Sequence, residues 1–248
     1  MKKERYTEYD PFAVIYNQHW GFMFTPTAMT AIEKLVLSIL PQGAAILDLC
    51  CGTGQIAEIL KGQGYRVTGI DGSEKMLAYA RENAPGVHFL ADDARSFAID
   101  TTFDAIVCVF DSLNHIMSLK ELGDVFKSVY RALKDNGVFH FDMNLEAEYT
   151  DHWSGVHGIV EDEQVCVIRL NYDAETRTGV FDATLFLLAE GWRRTDFVLK
   201  QKWYPESDIN KELEKAGFKT VEIYNFDQEK NLTELSPEAR RAFFRCIK

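Results

Sequence analysis

The chain has 248 residues, 46% hydrophobic and 26% charged, which allows a sizeable core and argues against wholesale disorder. A formal net charge of −11 repels polyphosphate, and a nucleic-acid binder would instead present a basic face that releases counterions. Five cysteines (Cys50, Cys51, Cys108, Cys166, Cys246) show neither C-x-x-C spacing nor a Cys/His cluster, so a disulfide framework and a structural metal are not expected and a reducing, cytoplasmic setting fits.

The first residues are basic, but Glu4, Glu8 and Asp10 follow where a signal peptide needs an apolar run, and no stretch approaches a membrane span in length. Residues 1–24 are rich in aromatics: Tyr6, Tyr9, Phe12, Tyr16, Trp20, Phe22 and Phe24. Phe12, Tyr16 and Trp20 recur four residues apart behind Pro11, which predicts a helix. A second amphipathic helix is expected over 27–40, stopped by Pro41.

A regular alternation follows. Residues 45–49 read as a short apolar strand, then a glycine-rich turn and a helix over 56–62. Residues 65–70 form a second strand with a helix over 73–83; 87–90 and 103–110 are the third and fourth strands. A helix over 118–134 leads to a fifth strand at 138–143. Strands alternating with helices at these spacings predict βαβ units and a parallel sheet.

The texture changes after Asn144. Three β-rich runs, 159–171, 180–188 and 192–203, are joined by turns too short for a parallel crossover, so they are expected to pair antiparallel. A helix over 205–216, capped by Gly217, a strand over 219–226 and a last strand over 240–247 complete the chain. Arg193-Arg194 and Arg240-Arg241 are the nearest approach to a basic patch and read as solvated positions, as does the acidic run Glu161–Glu163.

Chemistry concentrates in Ile46-Leu-Asp-Leu-Cys-Cys-Gly-Thr-Gly-Gln55. Glycines at the end of a buried strand let the backbone approach a ligand, and the next helix offers free N–H groups. The spacing is Asp-x-x-x-Gly-x-Gly, not G-x-G-x-x-G; an acid there opposes a pyrophosphate and suits an ammonium or sulfonium, which disfavours a nicotinamide enzyme. Asp71 ends the second strand, where a carboxylate accepts ribose hydroxyls. Asp93 follows the third, where one oxygen could take an adenine amine. Three acids at the C-terminal ends of successive parallel strands fall where such sheets bind ligands.

These residues resemble the class I S-adenosylmethionine-dependent methyltransferases. Asp48–Gly54 is similar to the family's first motif, with Cys50 where Gly or Ala is commoner; Ile70-Asp-Gly-Ser-x-x-Met76 is similar to its ribose motif, and Asp92-Asp93-Ala94 to Gly-Asp-Ala. Leu133-Lys-Asp-Asn-Gly-Val138 is similar to the segment before its fifth strand. The resemblance is strong over 40–145 and looser over 203–226. It implies a Rossmann-like α/β core of seven strands over 41–145 and 204–248, an N-terminal helical lid over 1–40, and a small antiparallel β insert over 146–203 that covers the substrate site.

The resemblance also implies S-adenosylmethionine as cofactor. Asp48 would lie near the methionine amino group with Cys50, Gly52 and Gly54 at the methionyl end, and Asp71 and Gly72 at the ribose. Met76 would pack on the adenine beside Asp93 and Ala94, with Phe110 and Asp111 bordering the sulfonium. The segment Phe110–His115 resembles that of bacterial amino-sugar N-methyltransferases, so His115 reads either as a base or orienting group, or as a hydrogen-bonded histidine at a helix start. Tyr16, with Tyr9 second, is the expected lid contact to the cofactor. Trp153, Trp192 and Trp203 either wall an apolar pocket or staple the insert. His19, His140, His152 and His157 are expected to be structural. The implied activity is methyl transfer to N or O of a small molecule, without a metal. The alternatives are a tRNA or protein methyltransferase on the same fold, or a non-catalytic module that binds the cofactor.

Overall fold

The computed structural model describes residues 8–226 and 231–248, so Tyr6 lies outside the described residues. Its centre is an eight-stranded sheet in the order β11-β10-β12-β5-β4-β1-β2-β3. The strands are β1 (Ala45–Leu49), β2 (Arg66–Asp71), β3 (His88–Ala91), β4 (Phe103–Cys108), β5 (Leu133–Asn144), β10 (Thr220–Phe226), β11 (Leu232–Glu234) and β12 (Arg241–Ile247). Strands β1 to β5 are parallel, and β12 runs antiparallel between β5 and β10. The expected seven strands are present, and three-residue β11 adds an edge that its polar sequence does not announce.

Every residue of β1 is buried because helices cover both faces of the sheet. Helix Gln55–Gly62 starts after Gly54, whose φ of 84° suits glycine. Helix Glu74–Asn83 is capped by Ser73, whose hydroxyl accepts the Met76 N–H at 3.1 Å. Helix Leu119–Ala132 is capped in the same way by Ser118, and helix Glu206–Ala216 stops at left-handed Gly217. The order of strands reverses between β2 and β4 on either side of β1. This opens a crevice at the strands' C-terminal ends, where sheets of this kind bind ligands.

The insert is a separate four-stranded antiparallel sheet: β6 (Gly155–Val160), β7 (Gln164–Asp173), β8 (Thr178–Leu188) and β9 (Trp192–Lys202). The run expected over 159–171 therefore splits in two. Glu161–Glu163, three acids that favour solvent, form the turn between β6 and β7. A further helix, Glu146–His152, joins the two sheets.

The aromatic N-terminal segment is helical from Asp10 to Met23 but changes gauge, with a five-residue π turn over Tyr16–Trp20. The helix expected over 27–40 begins at Thr25 and is α-helical only to Leu35, followed by a 3-10 turn, Leu37–Ile39. Phe12 and Ile15 are buried against Cys166, Ile168, Leu185, Phe197 and Leu199 of the small sheet. Burying these side chains stabilises the junction by roughly 1.5–3 kcal/mol each, which fixes the segment across the open end of the large sheet.

Candidate functional site

Two cavities lie at that open end. The first, of about 190 Å³, is bounded by Cys50, Gly52, Asp71, Gly72, Met76 and Ala94 on the large sheet. Asp71 ties its floor together: one oxygen accepts the Gly52 N–H at 2.9 Å and the other the Ser73 N–H at 2.8 Å. Burial raises the Asp71 carboxyl above its usual range, against the pull of these amides. An added Cβ at Gly52 would come within 3.3 Å of the Tyr16 ring, so glycine lets ring and loop meet there.

Asp48 lies behind the glycine loop rather than on the cavity wall, 2% exposed. The Ala57 amide donates to it, but its Oδ2 has no hydrogen-bond partner. Burial, and then the charge of Asp71, push its pKa up to about 8. A buried carboxylate oxygen without a partner is costly unless a ligand satisfies it.

Gly54 does not reach the cavity. A Cβ there would meet Ala80 Cα at 3.0 Å, so its smallness serves packing against helix Glu74–Asn83 and the positive φ. Asp93 does line the cavity, yet both its oxygens accept from Arg95, at 2.6 to 3.2 Å, and Arg95 continues to Glu121 at 2.7 Å. The carboxylate expected at the adenine edge is thus held by a guanidinium.

The second cavity, of about 570 Å³, lies between the N-terminal segment, the small sheet and the ends of β5 and β12. Phe12, Trp20, Phe24, Trp153 and Phe181 give it aromatic walls, and Asp111, Glu148, His152, His157 and Arg241 its polar groups. Burial raises the Glu148 carboxyl above its usual range. Tyr9, Tyr16, Phe110 and His115 line both cavities and form the junction between them. Burial, together with the nearby acids, raises the Tyr16 phenol and keeps it protonated.

The expectation for Arg241 is overturned. It is not solvated: it pairs with Asp111 at 2.7 Å and with Asp142, and lies over the Phe24 ring at 4.2 Å. Antiparallel pairing of β12 with β5 carries it to the cavity floor, facing Asn144 in register. Arg240, its neighbour, is exposed and pairs with Asp151. Fully buried Asp142 also accepts the N–H groups of Phe110 at 2.7 Å and Asp111 at 3.0 Å. Those two residues have φ of 69° and 48°, a pair of left-handed non-glycine residues that such bonds must hold in place. Asp111 borders the second cavity and not the first.

The tryptophans divide. Trp153 walls the second cavity, whereas Trp203 donates to the Tyr172 hydroxyl at 2.7 Å and stacks under Arg177, and Trp192 is 52% exposed. His140 is buried, its Nδ1 2.8 Å from the Phe244 carbonyl, and burial lowers its pKa to about 4. His152 and His157, expected to be structural, line the second cavity.

Sequence reasoning missed Arg241, Asp142, Trp20 and Gln201. Trp20 shared the spacing of Phe12 and Tyr16; for the other three, only strand register shows where they point. The arrangement offers a small cleft, with a buried unsatisfied acid behind its glycine loop, beside a larger aromatic chamber that shares four of its lining residues. Among the described residues, no group of three His, Cys, Asp or Glu side chains could hold a metal ion, and no single helix is long and apolar enough to cross a membrane.

Residues 46–137 match the family described as a methyltransferase domain. The putative methyltransferase YqeM of Bacillus subtilis is 29% identical over 97% of both chains. A dTDP-3-amino-3,4,6-trideoxy-alpha-D-glucopyranose N,N-dimethyltransferase of Streptomyces venezuelae is 33% identical over 107 residues, 43% of this chain and 45% of that one. The crystal structure of an S-adenosylmethionine-dependent methyltransferase from Clostridium acetobutylicum superposes with a TM-score of 0.78 at 25% identity, covering 96% of this chain and 98% of that one.

Proposed function

We propose that this chain, which is an S-adenosylmethionine-dependent methyltransferase with a Rossmann-like core, methylates a nitrogen or oxygen atom of a small molecule held in the aromatic cavity. One observation carries the reading: the two cavities are neighbours that share Tyr9, Tyr16, Phe110 and His115 in their linings. A donor in one chamber and an acceptor in the other would meet there.

The residues around the first cavity fit the cofactor. The Oδ2 atom of Asp48, buried and unpartnered, suits the ammonium of the methionyl end, and the glycine at 52 leaves room beside Tyr16. Asp71 would accept the ribose hydroxyls and Met76 pack on the adenine, with Ala94 beside it. Asp93 would act there through its ion pair with Arg95. When bound, the cofactor would supply an electrophilic methyl carbon on a sulfonium leaving group to the acceptor's lone pair.

What the chain contributes is position, dryness and a place for a proton. The Phe110 ring, 5.8 Å from Tyr16 and 4.9 Å from Phe24 by ring centroids, gives the junction an apolar wall. Burial lowers the His115 pKa below its usual value, so the imidazole is neutral near pH 7 and able to accept a proton. The N-terminal segment acts as a lid over both chambers through Tyr9 and Tyr16, and the insert selects the acceptor through Trp153.

Calorimetry with S-adenosylhomocysteine and NAD tests the donor side, and incubation with pooled small metabolites, with mass detection of an added methyl group, tests the acceptor side. S-adenosylhomocysteine should bind and NAD bind far more weakly. Preference for NAD would overturn the donor reading. Methylation of tRNA or protein in place of metabolites would overturn the acceptor reading, and binding without any turnover would mark a non-catalytic module.

A further inference from the structure

The surroundings of His115 are built by a strand of the small sheet. Its Nδ1 lies 2.8 Å from the Lys200 carbonyl oxygen on β9. A carbonyl only accepts, so Nδ1 carries the hydrogen and Nε2 the lone pair. The next residue, Gln201, places its Nε2 3.1 Å from His115 Nε2 and 2.5 Å from Asp111 Oδ2. Its Oε1 lies 2.9 Å from the Tyr149 hydroxyl and 3.3 Å from Asn144 Nδ2. With acceptors at one end and donors at the other, the amide has one favourable orientation, in which its N–H groups point at the carboxylate and at the imidazole lone pair. The Tyr9 hydroxyl reaches the same Nε2 at 2.7 Å.

The register of β9 is locked to the core. Buried Asn114, one residue before His115, donates to the carbonyls of Asn144 at 3.1 Å and Lys202 at 3.0 Å, and accepts the Asn144 N–H at 2.9 Å. A slip of β9 by one residue would turn Gln201 away from the site.

We propose that Gln201 is a positioning residue which, with the Lys200 carbonyl, holds His115 in a single tautomer with the Nε2 lone pair facing the junction of the two cavities. The proposal rests on His115 facing the acceptor, as in the function proposed above. On transfer, an N–H or O–H bond of the acceptor breaks and the electron pair stays on the acceptor atom; the Tyr9 hydroxyl, which holds the Nε2 lone pair, takes that proton on its oxygen as its own proton bonds to Nε2. A donor amide beside Nε2 favours the neutral ring and opposes early protonation, since hydrogen bonding to the neutral form disfavours the charged one. The groups facing the ring are Tyr9 and Glu8 of the N-terminal segment, Asp111 of the turn after β4, and Lys200 and Gln201 of β9; Arg241 of β12 holds Asp111. Burial opposes the imidazolium, while Asp111, the Lys200 carbonyl and Glu8 favour it; the Gln201 N–H, 3.1 Å from Nε2, adds to the opposition.

Long-range 15N–1H spectra of the histidine rings test this on the full chain without an acceptor, so failure here is separable from failure of the proposed function. In the native protein His115 should show a proton on Nδ1 alone and titrate below the ordinary histidine midpoint. Gln201→Glu, which replaces the donor with a carboxylate, should raise that midpoint by at least one pH unit. Gln201→Leu, which removes the donor at Nε2 and adds no charge beside Asp111, should keep the proton on Nδ1, where the Lys200 carbonyl holds it, and raise the midpoint by less than Gln201→Glu. Buried His140 serves as the internal control, since its signal should stay unchanged in any variant that folds. A native His115 protonated on Nε2 or present as a tautomer mixture would overturn the proposal even if neither variant folds. An unmoved midpoint in both Gln201→Glu and Gln201→Leu would also overturn it.

Discussion

Replacing Arg241 by methionine keeps much of the side-chain stem and removes the guanidinium from over the Phe24 ring and from between two carboxylates. Of those, Asp142 is 0% exposed at its side chain and Asp111 13%. Removing one partner of a buried ion pair costs about 3–5 kcal/mol, because the charge left behind is neither solvated nor paired. In a chain of this size that corresponds to a fall in Tm of roughly 6–20 °C. Asp142 keeps its two backbone donors, Phe110 and Asp111, which softens the loss but leaves the left-handed turn less firmly held. The effect should depend on pH. Burial raises the Asp142 carboxyl and Arg241 opposes that rise, so the variant's carboxyl climbs further. A carboxylate whose folded pKa lies above its unfolded value destabilises the fold while ionised, and the cost is relieved as pH falls through that folded pKa. The stability gap between native and variant should therefore be widest at pH 8 and narrow toward pH 5.5, as measured by urea unfolding. Arg241→Lys, which keeps the charge without the two-pronged fork, should fall between them. A gap below about 1 kcal/mol at pH 8, or one that widens on acidification, would refute the buried-clamp reasoning.

Three further outcomes are expected. Because Asp48 is held near 8 in the ligand-free chain, binding a cationic methionyl end should release a proton near pH 7 and tighten as pH rises toward 8; calorimetry in buffers of different ionisation heat reads both, and flat affinity with no proton release would remove Asp48 from the site. Asp71→Ala should weaken S-adenosylhomocysteine binding by roughly 2–4 kcal/mol and also lower stability, since the Gly52 and Ser73 amides lose their acceptor; lost stability with unchanged affinity would make Asp71 purely structural. Turnover should survive EDTA, since a sulfonium leaving group needs no Lewis acid; loss restored by a divalent ion would count against the proposed chemistry.

Local chemistry made the core legible from the sequence. The alternation of apolar strands with helices, the glycines at 52 and 54 and the serine cap at Ser73 act over a few residues, so order and spacing alone announced a parallel sheet with a ligand cleft at its C-terminal edge. Asp71 could be placed at that cleft because it ends a strand, and the family resemblance placed Cys50, Gly72 and Met76 there. The packing of Gly54 against Ala80 was not visible in the glycine spacing.

What the tertiary structure alone decided was which distant residues share a chamber. Arg241 looked solvated because a short arginine pair near the end of the chain announces no partner, and it is paired because pairing of β12 with β5 sets it at the cavity floor beside Asp111 and Asp142. Gln201 sits in an unremarkable alternating strand, and only the Asn114 bonds to Asn144 and Lys202 bring it against His115. A strand's pattern tells which residues share a face; what that face meets depends on contacts between segments far apart in the chain. Burial then follows from those contacts, and with it the displaced ionisation of Asp48, Asp142 and His115, since desolvation belongs to the assembled site and not to any stretch of sequence.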